Sequence, residues 1–182
     1  MRQTPVQRQI AVYCFTGNGV RVGEQSFRRA VRDILLARNG WRAAGVQFVF
    51  SDRRSPGDVV IELITAGEIT QRYGAHGGRG MSATECHNGH IRINERRWRY
   101  GPIAAHDDPV QTMSLRGYQS YLINHEMGHI LLGCTEHDHQ PCTGWGRRAS
   151  VMQQHTKGVS PCRPTATPTA ADLARIQQKK FV

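Results

Sequence analysis

Apolar and polar positions change their period along this chain, and the changes mark its elements. Gln9 to Phe15 alternates loosely and is rich in β-formers, which predicts a first strand closed by Thr16-Gly17-Asn18-Gly19. Phe27, Val31, Ile34 and Leu35 then recur at helical spacing, with Asn39-Gly40 as a natural stop. Gly45 to Phe50 and Asp58 to Thr65 read as two further strands on either side of the turn at Ser55-Pro56-Gly57. The second is a nearly continuous apolar run, as in a strand covered on both faces. Gly74 to Gly80 reads as a glycine-rich connector, since the Gly-x-x-x-x-Gly-Lys pattern of a phosphate cradle is missing. Asn88-Gly89, between short β-prone pieces of Thr84 to Asn94, predicts a hairpin. Its return strand, His90-Ile91-Arg92-Ile93-Asn94, sets Ile91 and Ile93 on one face and the polar residues on the other, a pattern that suits a sheet edge.

After a loop over Tyr100 to Met113, Ser114 to Gly133 reads as one long helix. From Pro141 to Pro168 the composition shifts to Gly, Pro, Ser and Thr, which predicts an irregular segment. Thr169-Ala170-Ala171-Asp172 then has the form of an N-cap, with Leu173, Ile176 and Lys180 following on a terminal helix. The predicted strands and helices together put the chain in the α/β class.

Length, charge and cysteine count narrow this picture. With 182 residues the chain is expected to make a single domain over 1–182, with 1–8 and 165–182 peripheral. No apolar run approaches the roughly 20 residues of a membrane-spanning helix. The net charge is +10, and 21 of the 24 basic residues are arginines. They are scattered along the chain, which suits a solvated basic surface better than a nucleic-acid footprint. The five cysteines are an odd set, so at least one is unpaired within the chain. Met1 to Ile10 is polar and lacks the apolar stretch of a secretory signal, as expected of a cytosolic protein or of a mature domain whose leader was removed.

The long helix carries the chemistry, His125-Glu126-Met127-Gly128-His129. Positions four apart differ by about 40° around a helix axis, so both imidazoles leave one face and can meet one tetrahedral zinc ion. Glu126 stands about 100° round from His125, within reach of a water on that metal without having to ligate it. Between Tyr118 and Gly133 the only formally charged residue is Glu126, in a helix apolar nearly all round. A buried carboxylate needs a compensating partner, and a zinc-bound water is one. The competing reading is of satisfied core histidines with Glu126 in an ordinary ion pair; chance would give the pattern about 0.02 times in such a chain. Gly128 costs about 1 kcal/mol relative to Ala, so it marks either a close backbone approach or a tolerated defect. A catalytic zinc takes three protein ligands, and His137 and His139 are the candidates for the third, with Cys134 and Glu136 behind them. His76, His87, His90, His106 and His155 read as surface residues.

At this point the chain resembles the metzincin zinc endopeptidases, whose pattern is His-Glu-x-x-His-x-x-Gly-x-x-His followed by a tight turn that holds a Met beneath the metal. It is more closely similar to an actinobacterial domain-of-unknown-function family of small metzincin-like proteins. The matching stretches are Arg38-Asn39-Gly40-Trp41, Ile91 to Trp98, Tyr121 to His129, His139-Gln140-Pro141-Cys142, Val151-Met152-Gln153-Gln154 and Cys162-Arg163-Pro164. The resemblance implies a compact metzincin-like fold: a twisted, mostly parallel sheet with an antiparallel edge strand, a backing helix, an active-site helix, a Met-turn and a C-terminal helix. It makes His125 and His129 zinc ligands, Glu126 the general base and Met152 the Met-turn residue. It makes His139 the third ligand, since His139 stands directly before the family's x-Pro-Cys, with His137 as the alternative. About four extra residues separate His129 from that cluster, and Leu132 stands where the family has Gly. The resemblance also implies a Cys142–Cys162 disulfide, which would close about 20 residues and contribute roughly 3 kcal/mol. Some metzincins carry a Tyr two places after the Met that steadies the oxyanion; Gln154 stands there, with His155 next to it.

The implied activity is hydrolysis of peptide bonds by a zinc-activated water, with a peptide or protein as substrate. The substrate is expected to add as a strand along His90, Ile91, Arg92, Ile93 and Asn94. A monomer in an extracellular or cell-envelope location fits the resemblance and the disulfide. The rival readings are a zinc-binding module without catalysis, a basic metalloprotease acting on nucleic-acid-bound proteins, and a structural protein with satisfied core histidines.

Overall fold

The computed structural model describes residues 8–78, 81–101, 113–132, 142 and 144–179. Five strands, β1 (Arg8–Thr16), β2 (Val46–Ser51), β3 (Val59–Ile64), β4 (Ala83–Glu85) and β5 (His90–Asn94), form one sheet in the order β2-β1-β3-β5-β4. All neighbours run parallel except β4, which pairs antiparallel with β5 and stands at the edge. The α/β class and the antiparallel edge strand therefore hold.

One sheet face builds the main core. Val12, Ile61, Leu63, Ile91 and Ile93 project there and meet Phe27, Val31 and Leu35 of α1 (Glu24–Leu35). Across the same core lies α4 (Leu115–Leu132), which buries Tyr118, Leu122, Ile123, Met127 and Leu131. Burial of β3 on both faces fits its unbroken apolar run.

Over β3, β5 and β4 the other sheet face carries a buried polar network, while over β1 and β2 Gln9, Ala11, Gln47 and Val49 are exposed. Glu62 Oε2 of β3 lies 3.0 Å from His90 Nε2 and 3.3 Å from Arg92 Nε. Arg92 donates to Tyr73 Oη (2.7 Å) and pairs with Glu85, and its other terminal nitrogen lies 3.0 Å from His90 Nδ1. Burial alone would raise the Glu85 carboxyl, but hydrogen bonds from Asn88 and Tyr73 and the Arg92 charge hold it down at about 2.

Tyr73 comes from a helix that the sequence reading missed, α2 (Ala66–Gly78), where Gly74 to Gly80 was expected to be a connector. The helix starts because Thr65 Oγ1 accepts from Glu68 N (3.2 Å), and Ile69 anchors it in the interior. Gly74, at φ 57°, breaks it, so the glycines do mark an interruption. A short helix, α3 (Glu95–Tyr100), also went unpredicted; Asn94 Oδ1 caps it by accepting from Arg96 N (2.8 Å).

The expected role of the His90 to Asn94 strand is corrected by its position. β5 lies between β3 and β4, and the backbone of His90, Ile91 and Arg92 is paired on both sides, so the strand offers no free edge there to a substrate. Its side chains are equally committed: Ile91 and Ile93 to the core, His90 and Arg92 to the polar network, and Asn94 to the α3 cap. The alternation that suggested an edge arises because the second face is lined by paired charges instead of water.

Thr165, Asp172 and Ile176 are buried, and the last helix, α5 (Ala170–Gln178), opens on the capping box Thr169/Asp172 as predicted. No helix among the described residues is long and apolar enough to cross a membrane.

Candidate metal centre

Helix α4 presents His125 and His129 one turn apart, and their Nε2 atoms lie 3.3 Å from each other with the rings edge to face. Two nitrogens bound to one tetrahedral zinc at about 2.0–2.1 Å stand about 3.3–3.4 Å apart, so the pair has the span such an ion requires. Nδ1 of His125 is 2.8 Å from the carbonyl of Val151, which accepts its proton and leaves the Nε2 lone pair for a metal.

Between the two imidazoles in sequence, Glu126 is buried, and burial raises its carboxyl above the usual range against the opposing pull of His129 and Thr84. Thr84 of the edge strand donates to its Oε2 (2.5 Å), which ties β4 to the helix at this point. A cleft beside these groups is lined by Ser82, Arg97, Tyr118, His125, Glu126 and Gln154, so both the carboxylate and an imidazole open onto it.

Beneath the helix lies a turn. Gln153 N donates to Ser150 O (3.1 Å), which places Met152 at the turn with its side chain 2% exposed. A Cβ added at Gly128 would stand 2.2 Å from Met152 Sδ and 3.0 Å from Trp41 Cζ2. The glycine thus marks a close approach, and it is Met152 that approaches. Trp41 has little room to retreat, because its Nε1 donates to Asn124 O (3.0 Å). Gly128→Ala gains about 1 kcal/mol of helix propensity but incurs overpacking of about 1–3 kcal/mol. The expected outcome is a lower urea midpoint than wild type, and an unchanged or higher one would show that Met152 yields freely.

Two side chains lock the turn to the helices. Tyr121 Oη of α4 donates to Gln153 O (3.1 Å) and accepts from His155 N (3.0 Å), and its ring stacks on His155 at 4.2 Å. Asp172 of α5 accepts from Val151 N (3.1 Å), Thr169 N (2.8 Å), Thr169 Oγ1 (2.7 Å) and Ser150 Oγ. Val151 therefore donates its N–H to Asp172 and receives the His125 proton on its carbonyl, one peptide away from Met152.

His155 and His90, read from the sequence as surface residues, are both buried. Burial lowers the His155 imidazole to about 4, and its Nε2 lies 3.0 Å from Ser150 O, so it is a neutral part of the turn's support. Of the two residues after the Met-turn considered for an oxyanion role, only Gln154 lines the cleft.

The disulfide Cys142–Cys162 is present, with 20 residues of sequence separation, and Cys86 is also disulfide-bonded. Cys14 is free and buried, its thiol pushed up to about 12 by burial. His139 and the alternative His137 lie outside the described residues. Among the described residues no group of three His, Cys, Asp or Glu side chains is placed to hold a metal ion.

The residues that the sequence reading did not single out are Thr84, Tyr121 and Asp172. Asp172 was visible only as a cap, and Thr84 only as one residue of a hairpin strand, so neither carried a signal for its long-range contact.

Fold and site together define an α/β protein in which paired helical imidazoles and a buried carboxylate rest on a methionine-bearing turn. The chain belongs to the DUF3152 family, described as a protein of unknown function, whose profile matches residues 10–172. No curated protein and no solved structure matches the chain.

Proposed function

We propose that this protein is a zinc-dependent endopeptidase. The observation that carries the reading is the 3.3 Å separation of His125 Nε2 and His129 Nε2, with a buried carboxylate next to them and a cleft lined by His125 and Glu126. His125 and His129 hold the ion, and His139 is the third ligand we propose, with His137 as the alternative. Zinc bound there supplies Lewis acidity towards water and the scissile carbonyl.

Glu126 takes the proton of the attacking water at Oε1, the oxygen that Thr84 does not hold, and passes it to the leaving amine. The raised affinity of its buried carboxyl for a proton favours that transfer. The peptide substrate pairs with the outer edge of β4, three residues long, where Thr84 leads directly to Glu126. This replaces the β5 platform expected from the sequence by its hairpin partner, the strand whose second edge is unpaired within the sheet.

Metal analysis of the purified protein tests the reading. One zinc per chain is expected in wild type and in Glu126→Gln, and a loss of most of it in His125→Ala. Full metal content in His125→Ala, or no transition metal in wild type after incubation with zinc, would overturn the assignment.

A further inference from the structure

At a loop tip, Trp145 is 87% exposed, whereas the other two tryptophans, Trp41 and Trp98, are buried. A single exposed indole needs no explanation by itself. What distinguishes this one is how firmly it is held and what surrounds it. The tip is a turn in which Arg147 N donates to Gly144 O (3.3 Å), with positive φ at Gly144 and Gly146. Behind it, the Cys142–Cys162 bridge clamps the two limbs. Arg163 N donates to Arg147 O (2.7 Å) and Ala149 N to Arg163 O (2.8 Å), over a small apolar cluster of Ala149, Val159 and Cys162.

That pairing sets Arg148 beside Arg163, with Arg147 next to Arg148 along the chain; all three are exposed, and none of them forms an ion pair among the described residues. We propose that this tip docks the protein on an anionic lipid surface, with Trp145 seated at the headgroup boundary and the three guanidiniums on lipid phosphates. Trp favours that boundary because its ring is apolar and its N–H polar, and cationic side chains close to an anionic leaflet add attraction. A protein partner fits less well, since a protein interface centres on a packed cluster of large side chains sealed from water by its rim, and the tip presents one large apolar side chain. Among the described residues the other exposed large apolar side chains, Val49, Tyr100 and Leu115, stand on β2, α3 and α4. A single-stranded nucleic acid would call for several stacking aromatics, and the tip offers one. The net charge of +10 brings the whole chain towards the same surface.

The proposal is independent of the peptidase reading, because binding is read without catalysis. The test is partition of the full chain onto phosphatidylcholine vesicles carrying about one-third phosphatidylglycerol, followed by tryptophan emission. With Trp41 and Trp98 already buried, a blue shift on binding reports Trp145, and brominated lipid should quench it. Trp145→Ala is expected to lower the partition coefficient about tenfold. Arg147→Ser/Arg148→Ser is expected to lower it about 25-fold. Arg53→Ser/Arg54→Ser, an equal loss of charge at another exposed turn, serves as the control and is expected to lower it only a few-fold. Absence of binding to the anionic vesicles, equal losses from the two arginine pairs, or a Trp145→Ala variant that binds like wild type would each overturn the proposal.

Discussion

Glu126→Gln is expected to slow peptide cleavage by about 10²–10⁴-fold while leaving the zinc content of the protein unchanged. The substitution preserves the volume at a buried position and keeps an acceptor for the Thr84 hydroxyl, so the edge strand stays tied to the helix. What it removes is the ability to take a proton at Oε1. Casein or peptide cleavage by wild type and variant, measured beside metal content, separates the possible roles. Undiminished cleavage would exclude Glu126 from the proton transfer, and loss of zinc would make it a ligand instead. The same variant carries a pH signature in the zinc-free protein. Because burial raises the folded-state pKa of Glu126, the folded state holds its proton more tightly than the unfolded chain, whose carboxyl titrates at about 4.3. Its contribution is therefore most favourable below that pH and is lost as pH rises through the folded pKa. Glu126→Gln removes the loss, so at neutral pH the zinc-free variant should melt no lower than zinc-free wild type.

Asp172→Ala should lower stability by about 3 kcal/mol or more and weaken zinc binding about 10- to 100-fold. A buried carboxylate that accepts from four donors leaves all four without it when it goes, and one of them is the backbone N–H of Val151 in the interior. The effect on the metal follows from Val151. Its N–H is held by Asp172 and its carbonyl holds His125 Nδ1, so freeing one end of the peptide loosens the orientation of the imidazole at the other. Urea unfolding of the zinc-free protein and competition with a zinc chelator measure the two effects separately. A variant as stable as wild type, or one that is destabilised yet binds zinc unchanged, would break the proposed link from α5 to the site.

How much of the site could be read in advance depended on the distance along the chain between the residues involved. His125, Glu126 and His129 share one helix, and helical geometry alone puts the imidazoles on one face. Met152 and the Cys142–Cys162 bridge entered through family resemblance, with no geometric argument from the chain itself. Gly128 was legible as an anomaly, a glycine mid-helix, but its cause lies 24 residues away in the Met152 side chain. Thr84 and Asp172 were not legible at all as site residues, because they act across 42 residues on Glu126 and 21 on Val151.

The misplaced substrate strand shows the same limit from the other side. Period-two patterning at His90 to Asn94 correctly put Ile91 and Ile93 on the core face, since side chains alternate along any strand. It could not tell a polar face that meets water from one that meets Glu62, Glu85 and Tyr73, because those partners come from other elements.

By itself, then, the order of residues determined the local periods, the α/β class, the hairpin with its antiparallel limb and the pair of histidines on a single helical face. Only the tertiary structure decided which strand lies at the rim, which groups hold the turn under the helix and what fills the space at Gly128. The physical reason is range: backbone geometry repeats within a few residues, whereas neutralising a buried charge or filling a gap depends on which distant segments packing brings into contact.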